Sequence, residues 1–246
     1  MGKRRHYRRR WLSDQCVYCG GNTQLTADHL PPQCTLPKVA QRDLVCVPAC
    51  RTCNGNASKD DEYLCLILTL SREAGEHPVA LRARESVLSA LSNARKAGFR
   101  KAFSGSLRFV DQWTRSGILL GTEVGYKVDY VRVNRVMERI IRGLFFHETR
   151  TILPQDISVK IVHFHPPAIR SEETVHRVAA ITQQVLNDGQ SRFIGDSAFL
   201  YAFYTFDPAH PHHMAWVLAF YERLVFLAVT KDSRGAAPHG QHANQI

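Results

Sequence analysis

The chain has 246 residues, a formal net charge of +10, 44% hydrophobic and 22% charged residues, a composition that suits a soluble globular protein with one large core or two small ones. The longest apolar run near the C-terminus, 214–221, stops at Glu222 and is far too short to span a bilayer. No apolar stretch follows the basic start, so no secretory signal and a cytoplasmic location are expected.

The charge is concentrated at the front: residues 1–60 hold ten Lys/Arg against four Asp, which favours a polyanionic partner, most simply nucleic acid. The first twelve residues include Arg4, Arg5, Arg8, Arg9 and Arg10 beside Tyr7 and Trp11. Such a run reads either as an arm along phosphates or as a solubilising terminus. All seven cysteines then fall within the first 65 residues. Cys16/Cys19 and Cys50/Cys53 form two C-x-x-C pairs separated by 30 residues, each followed by turn-forming residues (Gly20-Gly21, Asn54-Gly55). Two such knuckles can place four thiolates around one tetrahedral ion, so a structural Zn²⁺ at Cys16, Cys19, Cys50 and Cys53 is expected. Cys34, Cys46 and Cys65 then read as small buried hydrophobes, Cys46 best of the three.

Between the knuckles, residues 25–32 and 44–48 read as two short strands, with a helix starting at about 49–56. Asp28 and His29, adjacent on a strand, point to opposite faces. The order of these motifs, Cys-x-x-Cys, Asp-His-x-x-Pro, Asp-Leu-Val and Cys-x-x-Cys-Asn-x-x-x-x-Lys, resembles the HNH endonuclease family in its zinc-knuckle form, over about residues 14–62. The resemblance implies a ββα-metal module that cuts nucleic-acid phosphodiesters with one divalent ion, Mg²⁺ or Mn²⁺. It implies His29 as the general base that activates water, and Asp28 and Asn54 as ligands of the catalytic ion. Asp43 stands where the family usually has Asn, in a position that holds the loop bearing the base. Chemistry agrees with that assignment: a neutral His takes a water proton near pH 7, and carboxylate and amide oxygens suit a hard cation. Arg42, Arg51 and Lys59 are candidates to hold phosphates. The acids Asp60, Asp61 and Glu62 read as charging the first turn of a helix that continues through residues 64–70.

Further along, residues 79–103 show helical spacing (Leu88, Leu91, Phe99) with a basic patch at Arg95, Lys96, Arg100 and Lys101. Residues 106–130 read as short strands with Gly117, Gly121 and Gly125 as turn markers. Asp129 is placed to cap an amphipathic helix over 131–149, with Val133, Val136, Ile140 and Leu144 on one stripe. Arg132, Arg135, Arg139 and Arg142 lie opposite, either tracking phosphates or facing solvent. A strand over 157–164 and a helix over 172–188, capped by Ser171 and stopped by Gly189, come next. Two β runs, 199–206 and 214–229, the second broken near 221–223, close the fold, and the tail from Ser233 is expected to be disordered. His163, His165, His210, His212 and His213 lack acidic or cysteine companions at ligand spacing and read as loop and strand residues.

The fold class expected is α+β. A basic arm (1–12) precedes an HNH-like zinc-braced ββα module (13–65), a mainly helical connection (66–130), an α+β C-terminal region with antiparallel strands (131–232) and a tail (233–246). The function expected is a metal-dependent endonuclease of bacterial or phage origin acting on DNA, with a homodimer through the C-terminal region allowed. The alternative is a catalytically inactive zinc-knuckle protein that binds nucleic acid or regulates. A third reading is a zinc-stabilised interaction module with no nucleic-acid affinity.

Overall fold

The computed structural model describes residues 13–114, 116–163 and 171–232. It is an α+β arrangement of five α-helices and antiparallel sheets. Strand β1 (Leu25–Leu30) pairs antiparallel with β2 (Val45–Cys50), setting Ala27 opposite Pro48 and His29 opposite Cys46. Helix α1 (Arg51–Leu70) leaves β2 directly, with Cys50 as its N-cap. The arm residues Arg4, Arg5, Arg8, Arg9 and Arg10, together with His165 and the tail from Ser233, lie outside the described residues.

The helix expected over 79–103 is two helices, α2 (Pro78–Leu91) and α3 (Ala97–Ser104). Asn93 separates them, its side chain accepting the Arg95 N–H and offering the backbone a competing partner. A two-stranded ribbon follows, β3 (Leu107–Trp113) against β4 (Leu119–Tyr126). Helix α4 (Tyr130–Thr149) starts at Asp129, whose carboxylate accepts the N–H groups of Val131 and Arg132. Its Val133, Val136, Ile140 and Leu144 are buried as one stripe.

The rest of the chain builds a five-stranded sheet in the order β5 (Ile157–His163), β9 (Leu224–Asp232), β8 (Met214–Phe220), β7 (Phe199–Thr205) and β6 (Gln190–Ile194). Helix α5 (Glu172–Asp188) crosses from one edge of this sheet to the other, and Ser171 caps it by accepting the Thr174 N–H. Along β8, Met214, Trp216, Leu218 and Phe220 face the main core, whereas Ala215 and Val217 face α5. With both faces covered, such strands read as unbroken apolar runs rather than alternations. The break at 221–223 is the β8–β9 turn, where Tyr221 and Glu222 take φ values of 52° and 65°. Strand β6 gives no sequence signal because Gln190, Ser191, Arg192 and Phe193 are all exposed on the sheet edge.

One buried cluster runs from Val17 and Leu30 through Leu64 and Ile140 to Tyr221 and Phe226, so the β1–β2–α1 unit and the large sheet share a core. Tyr221, fully buried, donates its hydroxyl to the Thr35 carbonyl at 2.6 Å. Helix α4 lies close against β1 at Gly143, where an added methyl group would collide with the Leu30 side chain and stand 3.3 Å from the Tyr18 hydroxyl.

The four arginines of α4 do not form a free phosphate track, and only Arg135 is left exposed to solvent. Arg132 and Arg135 each bond Asp60 of α1, at 2.7 and 2.8 Å, and Arg139 bonds Asp61. Arg142 is buried, paired with Glu138 and bonded to the carbonyls of Leu153, Pro154 and Ile157. By the same contacts, Asp60, Asp61 and Glu62 do not charge a first helical turn: they sit mid-way along α1, where the acids of one helix meet the cations of another, Glu62 pairing with Lys96.

Candidate metal centre and the Asp28–His29 strand

The first knuckle is a tight turn in which Gly20, at φ +73°, returns its N–H to the Cys16 carbonyl while the Cys16 N–H reaches Gly21 O. The second knuckle is the β2–α1 junction. The four thiols of Cys16, Cys19, Cys50 and Cys53 all lie within 4.8 Å of one another, placed to hold one metal ion. Cys19 Sγ and Cys50 Sγ stand 3.8 Å apart, the edge expected for a tetrahedron of about 2.3 Å metal–sulfur bonds. Cys50 Sγ accepts the Cys53 N–H at the helix start, and that bond, against the opposing effect of burial, lowers its thiol to about 7. Cys53 is shifted the other way by burial and by its neighbouring thiols. Four thiols converging in this way suit ligation of one ion by thiolates. Among the described residues no other group of three His, Cys, Asp or Glu side chains converges in this way. His163 meets Asn134 Oδ1 at 2.6 Å, and His210 meets Asp207.

The remaining cysteines differ from expectation in one respect. Cys65 is the fully buried one, donating to the Cys34 carbonyl, whereas Cys46 is only half-buried because it lies opposite His29 on the outward side of the small sheet.

Asp28 and His29 lie on β1 with Asp28 turned inward and buried, His29 half-buried on the other side. Asn54, in the first turn of α1, donates its amide to Ala27 O at 3.2 Å and Thr26 Oγ1 at 3.0 Å. Asp28, His29 and Asn54 are thereby brought onto adjoining backbone, and no donor among the described residues takes Asn54 Oδ1. Asp28, however, is fully engaged. Its Oδ1 accepts the His29 N–H at 2.9 Å, and its Oδ2 accepts the Tyr18 hydroxyl at 2.6 Å and lies 3.4 Å from Arg139 Nε. Burial first, then the adjacent Asp28 carboxylate, raises Tyr18 well above the usual phenol range and keeps it a donor.

The sequence marks Arg139 only as one of four arginines on α4, and its place beside Asp28 and Asp61 is what sequence reasoning missed. This arginine is itself buried, and donates Nη2 to both oxygens of Asp61 at 2.8 Å. Its Nε and Nη1 are buried without a hydrogen-bond acceptor. Burial pushes Asp61 up to about 6, with Arg139 opposing. Burial works against the Arg139 charge, and Asp28 and Asp61 more than offset it, so its pKa lies above the ordinary value. No local pattern marks that place, since the partners of Arg139 lie far away in the chain (|i−j| of 78 for Asp61).

Asp43 is exposed and makes no hydrogen bond to the loop around His29, contrary to the expected role, because it precedes β2 on the solvent side of the turn. Arg42, Arg51 and Lys59 are exposed and form no ion pair among the described residues. Lys59 borders an open cavity of about 550 Å³ between α1 and α4, shared with Cys53, Asp60, Arg135, Glu138 and Arg139. No family model, curated protein or solved structure matches this chain, and no helix among the described residues is long and apolar enough to cross a membrane.

Proposed function

We propose that this chain is an HNH-type endonuclease that hydrolyses nucleic-acid phosphodiester bonds, with DNA the expected substrate and Zn²⁺ held by Cys16, Cys19, Cys50 and Cys53 as a structural brace. The observation that supports this most directly is the junction of β1 with α1. Asn54 hangs from the Ala27 carbonyl, beside Asp28 and His29, on a scaffold clamped by four thiols. In this reading the His29 imidazole, in its neutral form, takes the proton of the attacking water. Asp28 holds the His29 backbone through its N–H and so fixes where the imidazole starts. Asn54 ties the helix to the strand that carries both. A divalent Mg²⁺ or Mn²⁺ ion at Asp28 and Asn54, as the resemblance implies, would supply charge neutralisation at the phosphate. The donors fit such an ion only in part: Asn54 Oδ1 is available, while both Asp28 oxygens are in use. The net charge of +10 favours a polyanionic substrate.

One observation favours the second reading, nucleic-acid binding without cleavage. Arg139 already compensates Asp28 and Asp61 in a buried cluster, where a guanidinium takes the role of a counter-cation. Plasmid cleavage by purified protein in EDTA, Mg²⁺ and Mn²⁺ separates the two. The endonuclease reading expects nicking or linearisation that needs the divalent ion and falls about 100-fold or more in His29→Ala, at unchanged zinc content. Salt-dependent binding of DNA or RNA with no cut under any ion would instead establish the second reading.

A further inference from the structure

The β3–β4 ribbon shows an unpartnered apolar face. Residues directly opposite on paired strands share a side, which puts Leu107, Phe109 and Trp113 of β3 on one face with Val124 and Leu119 of β4. That face looks into solvent: Phe109 is 83%, Val124 62% and Trp113 59% exposed. The other side carries Arg108, Val110, Gln112 and Glu123. The ribbon is tied to the body at its base, where Tyr126 donates its hydroxyl to the Ile67 carbonyl at 2.8 Å and its ring meets Phe103. Beyond that base both outer edges are unpaired among the described residues, where the sheet has two strands.

We infer that this ribbon is a self-association surface, and that its occupant is the same face of a second copy of this chain. Three arguments select that occupant. An isolated two-stranded ribbon is marginal in water, and open apolar edges are normally covered, so a stable ribbon of this kind calls for a protein partner. Scaled by their exposure, the five side chains offer about 500 Å² of apolar surface, taking aromatic side chains at roughly 150–250 Å² each when fully exposed and the aliphatic ones somewhat less. That matches the nonpolar share, about 56–58%, of the ~800 Å² each partner contributes to a standard interface. Finally, among the described residues the face carries no Lys or Arg to attract a phosphate backbone or an anionic lipid; its one charged side chain, Asp111, accepts the Thr122 hydroxyl at 2.6 Å. A two-fold axis would bring each Phe109–Val124 pair against its symmetry mate, an isologous contact in which the one patch serves both sides.

This inference does not depend on the endonuclease reading, and it places the contact in the ribbon rather than in the C-terminal region. The test is sedimentation velocity on the full chain across the micromolar range. Wild type is expected to be dimeric, and Phe109→Asp combined with Trp113→Ser to be monomeric, with the dissociation constant raised by about 100-fold or more. Leu88→Asp, at an exposed position on α2, is expected to leave the dimer intact. Zinc content and far-UV dichroism report whether each variant folds. Should the double variant fail to fold, hydrogen exchange on wild type decides: protection of the β3–β4 amides should rise with protein concentration. A wild type that stays monomeric, a folded double variant that dimerises as wild type does, or ribbon amides whose protection ignores concentration overturns the inference. A monomer that floats with zwitterionic or anionic vesicles through Phe109 and Trp113 overturns it in favour of a membrane surface.

Discussion

The residue with the widest consequences is Arg139, because it is buried between two carboxylates that come from different elements, Asp28 on β1 and Asp61 on α1. Removing one member of a buried ionic cluster leaves the others uncompensated, which typically costs about 3–5 kcal/mol. Arg139→Met is therefore expected to lower stability by that order at pH 7. The pH dependence follows from Asp61. Its folded pKa, about 6, lies above the ordinary carboxylate value. The folded state then binds the extra proton first, and the group's penalty grows as pH rises through 6 and fades towards pH 4. Without Arg139 that penalty is larger. The difference between Arg139→Met and wild type in urea unfolding should thus shrink from pH 7 to pH 5. A difference that stays constant or grows would show that Asp61 does not take up the proton. Comparison at matched pH removes the thiolate site's own pH dependence.

At the scale of elements, the approach of α4 to β1 is set by a missing side chain. Gly143 lets the helix backbone come up against Leu30 and Tyr18, the same contact that brings Arg139 within reach of Asp28 one helical turn earlier. Gly143→Ala raises intrinsic helix propensity, yet it forces a methyl group into Leu30. Overpacking is expected to win, destabilising by about 1–3 kcal/mol in denaturant unfolding. A neutral or stabilising result would mean that α4 can slide without loss. Much of this layer was legible in the sequence. The order strand, strand, helix between the knuckles, the Asp129 and Ser171 caps and the α4 stripe all rest on local signals, and the structure contains each of them. The partners of the α4 arginines were not legible. A helix face rich in Arg looks the same whether it meets water, phosphate or the acids of another helix, and here Asp60 lies 72 residues from Arg132.

For the whole molecule, the shared core decides what metal loss should do. Leu30 and Leu64 of the β1–β2–α1 unit belong to the same buried cluster as Trp216 and Phe226 of the large sheet. Tyr221 in the β8–β9 turn bonds the Thr35 carbonyl as well. If the four-thiol centre braces that unit, chelation or Cys53→Ser should lower the melting temperature of the entire chain in one cooperative transition, since binding free energy at such a site is folding free energy. The check is calorimetry alongside metal analysis. Two separated transitions, with the sheet melting at its original temperature, would show that the layers are energetically independent despite their contact.

The sequence by itself determined the four-thiol grouping, the strand, strand, helix succession of the first 70 residues, the helix caps and the α+β class, because each depends on spacing, turn chemistry or periodicity within a few residues. Only the tertiary structure decided where the Asp28 carboxylate turns, which acids the α4 arginines meet, that Asp43 is exposed without a hydrogen bond to the loop around His29, and that β6 exists as an exposed edge. It also decided that, among the described residues, nothing covers the apolar face of β3–β4. Each of these depends on which surfaces meet across long stretches of chain, and such meetings are settled by packing and charge compensation that no local pattern records.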